Sequence, residues 1–169
     1  MIEFISTYGL WIGLAIFPVY VIILTLKGGV EKDITHLIYR LNEKWQWITT
    51  AVYWISAGMI GFNAVLNNHW ILLLCAVAFA TVGLFPDVRV QEKWKVKVHV
   101  IAAISAVMLG VVSSFVELHS WFYGLAFVIF MLGIKYKKIT INHTTYWVEA
   151  AAYLVILLSV LRNEKMDKK

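Results

Sequence analysis

Charge is what this chain has least of. Charged residues make up 15% of its 169 positions and hydrophobic residues 61%, with a mean hydropathy of +0.76. A soluble domain averages about a quarter charged, so the composition excludes an ordinary water-soluble globule. It predicts an all-α polytopic integral membrane protein. Cysteine occurs once, as Cys75 within an apolar run, which excludes an intrachain disulfide and a cysteine-based metal cage. Proline occurs twice. Pro18 falls inside the first apolar run, where it removes a helical hydrogen bond and predicts a kink; Pro86 closes the third run. No phosphate-cradling glycine loop, nucleophile elbow or selectivity-filter run is present. No basic stretch precedes the first apolar run, and that run is too long for the core of a cleavable signal, so it is expected to remain as a helix. The net charge of +5 sits in short links, where it is a topology signal and not a nucleic-acid footprint.

What is present is a succession of apolar runs. Six spans are expected at about 4–26, 46–66, 70–85, 98–115, 120–134 and 146–161, forming one transmembrane domain. A span needs roughly 20 residues at 1.5 Å each, so the shorter runs must draw on snorkelling ends or a thinned bilayer. Gly28-Gly29 reads as a helix stop, and Asn67-Asn68-His69 as a tight polar turn. Leu37, Ile38 and Leu41 beside Arg40 and Lys44 suggest a short amphipathic helix on the membrane surface.

Lysine and arginine set the orientation. The first, third and fifth links carry four, four and three of them, the second and fourth none. The positive-inside rule makes the basic links cytoplasmic and puts the N-terminus outside, as expected of a multi-pass protein of a cell membrane, such as a bacterial inner membrane. The basic tail from Arg162 to Lys169 then falls outside, against the rule, but eleven charges to none across the other links outweigh it. Trp45, Trp47, Trp94 and Trp147 mark cytoplasmic ends; Trp70 and Trp121 mark outer ones.

The chain also repeats itself. Asn42-Glu43-Lys44-Trp45 followed by Ile55-Ser56-Ala57-Gly58-Met59-Ile60-Gly61 recurs 49 positions on as Gln91-Glu92-Lys93-Trp94 and Ile104-Ser105-Ala106-Val107-Met108-Leu109-Gly110, with eight identities. Tryptophan and lysine anchor a helix entry at the interface. Ala57 with Gly61, and Ala102 with Ala106 and Gly110, form small-residue stripes that let helices approach closely. Ser56 and Ser105 lie beside those stripes and are candidates to face a ligand. Both copies begin on the cytoplasmic side, so the result is a partial, parallel hairpin repeat. At the position where the first copy has Thr50, the second has His99.

A titratable group inside a span is costly and therefore a functional candidate. His99 and Glu149 qualify, at similar depth below the cytoplasmic face, and could pair. Asp87, His36 and His143 lie on the same side. Their spacings match no metal motif, so neither a metal nor another cofactor is implied.

Gly83-Leu84-Phe85-Pro86-Asp87 closing one span, with His99 early in the next, resembles a poorly characterised bacterial membrane family related to the Frag-type proteins first noted as FGF-receptor activators. The resemblance covers the middle third of the chain and implies a six-helix bundle with Asp87 and His99 as positions of interest. A looser similarity is to ceramidase-like membrane hydrolases, which use serine, aspartate and three histidines around zinc; this chain lacks their paired histidines on the last helix and is one span short. Three functions follow as expectations. The first is a non-enzymatic module that binds a lipid or small apolar ligand, or assembles as a homo-oligomer or subunit. The second is a small transporter or channel with a proton-coupled His99/Glu149 site, and the third a metal-dependent lipid hydrolase using Asp87, His99 and His143.

Overall fold

The computed structural model describes residues 10–85, 92–136 and 142–166, and among them every regular element is a helix. The α-helices among the described residues are α1 (Leu10–Gly28), α2 (Trp47–Leu66), α3 (Trp70–Leu84), α4 (Lys93–Val116), α5 (Trp121–Lys135) and α6 (Thr144–Met166). Two short 3₁₀ segments, Ile34–Arg40 and Glu43–Trp45, fill the first link. By length and apolar composition α1, α2, α4 and α6 are each able to cross a membrane; α3 and α5 are shorter, and 15 residues rise only about 22 Å.

The helix ends follow from local chemistry. α1 passes through Pro18 without a break and stops at Gly28. Gly29 then takes φ +83°, a left-handed conformation that glycine adopts without steric cost, and its amide bonds back to the Thr25 carbonyl at 2.7 Å. α2 ends in the expected tight turn: Asn68 sits at φ +56° and the His69 amide returns to the Ala64 carbonyl at 2.8 Å.

Consecutive helices pack as antiparallel neighbours. The most extensive contacts are α2 with α3 and α3 with α4, and α4 also touches α5 and α6. Polar bonds tie down both ends of the bundle. At one end Glu117, just past α4, accepts the Ile71 amide at 2.6 Å and the Leu72 amide at 2.8 Å, and the Ser113 hydroxyl at 3.0 Å. These amides are free at a helix N-terminus, where a carboxylate also complements the helix dipole. At the other end Thr25 bonds Tyr146 at 2.6 Å, and the Ile34 amide donates to Glu149 at 2.8 Å. The first link and the start of α6 are thus neighbours, as are the second and fourth links. That is the alternation the lysine and arginine pattern requires.

One expectation needs correction. The first link does not lie with its apolar side outward: Leu37 and Ile38 are 0% and 1% exposed, because the 3₁₀ segment folds in against α1 and α6. Closing it inward lets Asp33 cap the segment, accepting the His36 amide at 3.0 Å and the Thr35 hydroxyl at 2.8 Å. The helices run past the expected spans at some ends: α4 begins at Lys93, and α6 runs from Thr144 to Met166. Lysine, arginine and glutamate are good helix formers, so a helix need not stop where hydrophobicity does.

The interior is mainly apolar with a few buried hydroxyls, and the exterior is apolar as well, unlike that of a protein folded in water. Thr49, Ser56, Asn63, Ser113, Ser114 and Ser159 are buried, whereas Ile22, Ile23, Leu74, Val77, Ile101, Ile104 and Ile129 are exposed.

Candidate functional site

The core of the bundle converges on four aromatic rings from four helices. Phe17 (α1), Tyr53 (α2), Phe79 (α3) and Tyr153 (α6) have ring centroids 4.5 to 5.7 Å apart in the pairs that touch, mostly edge-on or tilted, the arrangements aromatic quadrupoles favour. The Tyr153 hydroxyl donates to the Leu14 carbonyl at 3.2 Å, securing α6 to α1. Beside these rings lies a cavity with about 60 Å³ in which the centre of a water molecule fits, room for a few waters or a small ligand.

His99 and Glu149 both line this cavity. The sequence placed them at similar depth on two separate helices; the packing of α4 against α6 puts them on one wall system. Glu149 is half-buried, and its Oε2 accepts the Ile34 amide. His99 is 4% exposed, and among the described residues its Nδ1 has no hydrogen-bond partner. Cys75 also lines the cavity, and its thiol is engaged with the Ala106 carbonyl at 3.2 Å.

Next to Ile34 and Thr35 of the cavity wall stands a pair whose aspartate the sequence did not flag. Asp33 Oδ1 lies 2.6 Å from His36 Nδ1, and Asp33 is close enough to act electrostatically on both His99 and Glu149. Burial pushes the Asp33 carboxyl up, but its hydrogen bonds from His36 and Thr35 outweigh that and hold it below the usual carboxylate range. Behind this pair Arg40 bonds Glu31 at 2.5 Å.

The other candidates separate. Ser56 is fully buried, yet neither it nor Ser105 lines the cavity. His143 is exposed, at φ +55° just before α6, and is not brought to His99. Asp87 lies outside the described residues. Among the described residues no group of three His, Cys, Asp or Glu side chains could hold a metal ion.

The two small-residue stripes do different work. Ala106 lines the cavity, and Gly110 sits where a Cβ would overlap Ile156 Cδ1 and come within 2.6 Å of its Cγ1, so α4 and α6 meet closely there. Gly61 is less constrained: a Cβ there would make ordinary contact with Ala76 at 3.5 Å. Together with Ala57 it lines a shallow outer groove between α2 and α3. A second groove, wholly apolar but for Thr25 and tyrosine hydroxyls, runs between α1 and α6 and shares Phe17, Ile34 and Tyr153 with the cavity wall.

The residues that sequence reasoning missed are Asp33, Thr35, Tyr53 and Tyr153. The two tyrosines carried a signal, since each falls well inside its helix and away from the interfacial belt where tyrosine is common. Comparisons with protein-family models, with curated proteins and with solved structures find no match, so the chemistry of the site rests on this geometry.

Proposed function

We propose that this chain is a polytopic membrane protein of six helical spans, N-terminus outside, that binds a small ligand in the cavity between α1, α2, α3, α4 and α6. The apolar exterior supports the membrane setting: large apolar side chains cover the outside of the bundle, and several hydroxyls lie buried among the apolar residues of its interior, as suits a helix bundle in lipid. Trp45, Trp47, Trp70, Trp94, Trp121 and Trp147 are all exposed, as interfacial anchors must be. The observation that carries the binding role is that Glu149 and His99 line one aromatic-walled cavity. A mostly apolar pocket with a few converging polar groups is the ordinary form of a small-molecule site. The groove between α1 and α6 offers a route from the bilayer, with Phe17, Ile34 and Tyr153 as the partition.

Mass spectrometry of the protein released intact from detergent tests this. A bound small molecule is expected in the native chain and is expected to be lost when Ala103, on the cavity wall, is enlarged to leucine. A chain that carries nothing and gains no stability from any small ligand would refute the reading.

A second reading is proton-coupled transport, favoured because both titratable groups face the same space. In proteoliposomes, a pH gradient would drive uptake that Glu149→Gln abolishes; flux unaffected by that change removes this reading.

A further inference from the structure

We propose that the groove between α1 and α6 seats one acyl chain of an anionic phospholipid, drawn from the leaflet on the side of the first link, with Lys27 and Lys32 meeting its headgroup. The proposal rests on the membrane setting argued above and not on a ligand in the inner cavity.

The polar atoms of the groove are already engaged. Its wall holds three side-chain oxygens, those of Thr25, Tyr146 and Tyr153. Thr25 and Tyr146 bond each other at 2.6 Å. The Tyr153 hydroxyl donates to the Leu14 carbonyl at 3.2 Å, the carbonyl that Pro18, lacking an N–H, leaves without its usual helical donor. An occupant therefore finds no hydrogen bonds to make along the groove, and polar groups carried there would be buried unpaired. A hydrocarbon chain fits that chemistry.

Length and charge specify which hydrocarbon. α1 and α6 run antiparallel here, since Thr25 meets Tyr146 at the first-link end and Leu14 meets Tyr153 further in. On α6 the groove extends from Tyr146 to Leu157, about 16 Å at 1.5 Å per residue, and about 380 Å³ is open along it. That length is close to half of the roughly 30 Å hydrocarbon core. The groove thus starts at the first link and stops near the middle of a bilayer, as the tail of a lipid in one leaflet does. No charged residue occurs between Phe17 and Leu26 or between Ala150 and Leu157, so charge gathers at one end. There Lys27 follows Leu26 of the groove wall and Lys32 stands just before Asp33 and Ile34, and both lysines are exposed. The acids beside them are engaged or turned away. Glu31 pairs with Arg40 at 2.5 Å and Asp33 with His36 at 2.6 Å, while Glu149 lines the inner cavity and accepts the Ile34 amide. Two exposed cations at the end of an apolar channel complement an anionic headgroup.

The test is native mass spectrometry of the chain reconstituted with equal amounts of phosphatidylglycerol and phosphatidylcholine bearing identical tails, then released from detergent. One phosphatidylglycerol per chain is expected, preferred at least roughly tenfold, since each lysine near an anionic headgroup contributes about fivefold. Lys27→Gln combined with Lys32→Gln, at two exposed positions, is expected to abolish the preference while a lipid still binds. Ala150→Leu, which narrows the groove, is expected to remove the bound lipid. Equal binding of the two lipids to the native chain, or a preference that survives loss of both lysines, would overturn the proposal. So would a native chain that retains no lipid, or a dimer that Ala150→Leu breaks, which would make a second copy the occupant. Should Ala150→Leu fail to fold, as a melting curve would reveal, the native chain and the lysine variant decide alone. A chain that does not float with liposomes would refute the membrane setting itself, and the proposal with it.

Discussion

Glu117 accepts three hydrogen bonds, although it lies outside the cavity. It supplies acceptors to two amides at the start of α3 and to the Ser113 hydroxyl, and α3 has no cap from its own preceding residue. Glu117→Ala strands those donors where the second and fourth links meet, and is expected to cost about 1–3 kcal/mol in a reversible unfolding titration in mixed micelles. Glu92→Ala, an exposed carboxylate that bonds the Trp94 indole and lies 3.7 Å from Lys95, is the comparison and is expected to cost under about 1 kcal/mol. Asp33 makes a prediction of sign. Its carboxyl is held below its ordinary value, so the stabilisation it confers is complete above the unfolded-state value of about 3.9 and is lost as pH falls through the lower folded value. Melting temperature should therefore fall between pH 5 and about 3 in the native chain, and by less in Asp33→Asn; an identical acid profile would count against the capping role.

At the level of elements, the two copies of the repeat make an uneven pair. Gly110→Ala drives a methyl group into Ile156, forcing that side chain to move, at about 1–3 kcal/mol. Gly61→Ala meets only ordinary contact with Ala76 and removes a poor helix former, so it should be neutral or slightly stabilising. Equal effects at the two glycines would show that the copies pack alike, against the geometry found. The first link is the other element whose role changed. A surface helix would tolerate loss of Leu37, but a fully buried residue leaves a cavity, and Leu37→Ala should cost about 2–5 kcal/mol. Because Ile34 and Thr35 continue from this segment into the wall of the cavity, Leu37→Ala should also weaken binding of any ligand found there.

For the whole molecule the decisive quantity is which ends share a side. Glu117 with Ile71 joins the second and fourth links, and Ile34 with Glu149 joins the first link to the start of α6. On the proposed membrane reading, single cysteines introduced at Asn68 and His119 should react with an impermeant maleimide from outside, and those at Lys32 and Lys95 only after permeabilisation. Cys75 is buried, so it contributes little background and is removable as Cys75→Ser for certainty. A cysteine at Arg162 tests the sixth span, and labelling from outside is expected. Labelling of Arg162 from the cytoplasmic side alone would mean that α6 returns to the side where it began.

The all-helical class, the tight turn at 67–69, the stop at Gly28-Gly29 and the alternation of basic and neutral ends were all legible in the amino-acid sequence. Each depends on local chemistry: long apolar runs, backbone preferences of glycine and asparagine, and the placement of charge. His99 and Glu149 were legible as individuals too, since a titratable group within an apolar helix stands out whatever surrounds it. The tertiary structure decided what depends on rotation and distance between helices. It brought His99 and Glu149 to one cavity while leaving Ser105 and His143 outside it, and gave Gly110, but not Gly61, a close neighbour. It also folded the first link inward, because Glu149, 115 residues further along the chain, offers the Ile34 amide an acceptor. Hydropathy assigns a helix to its environment but does not say which of its faces meets which partner, and in a bundle that choice makes the site.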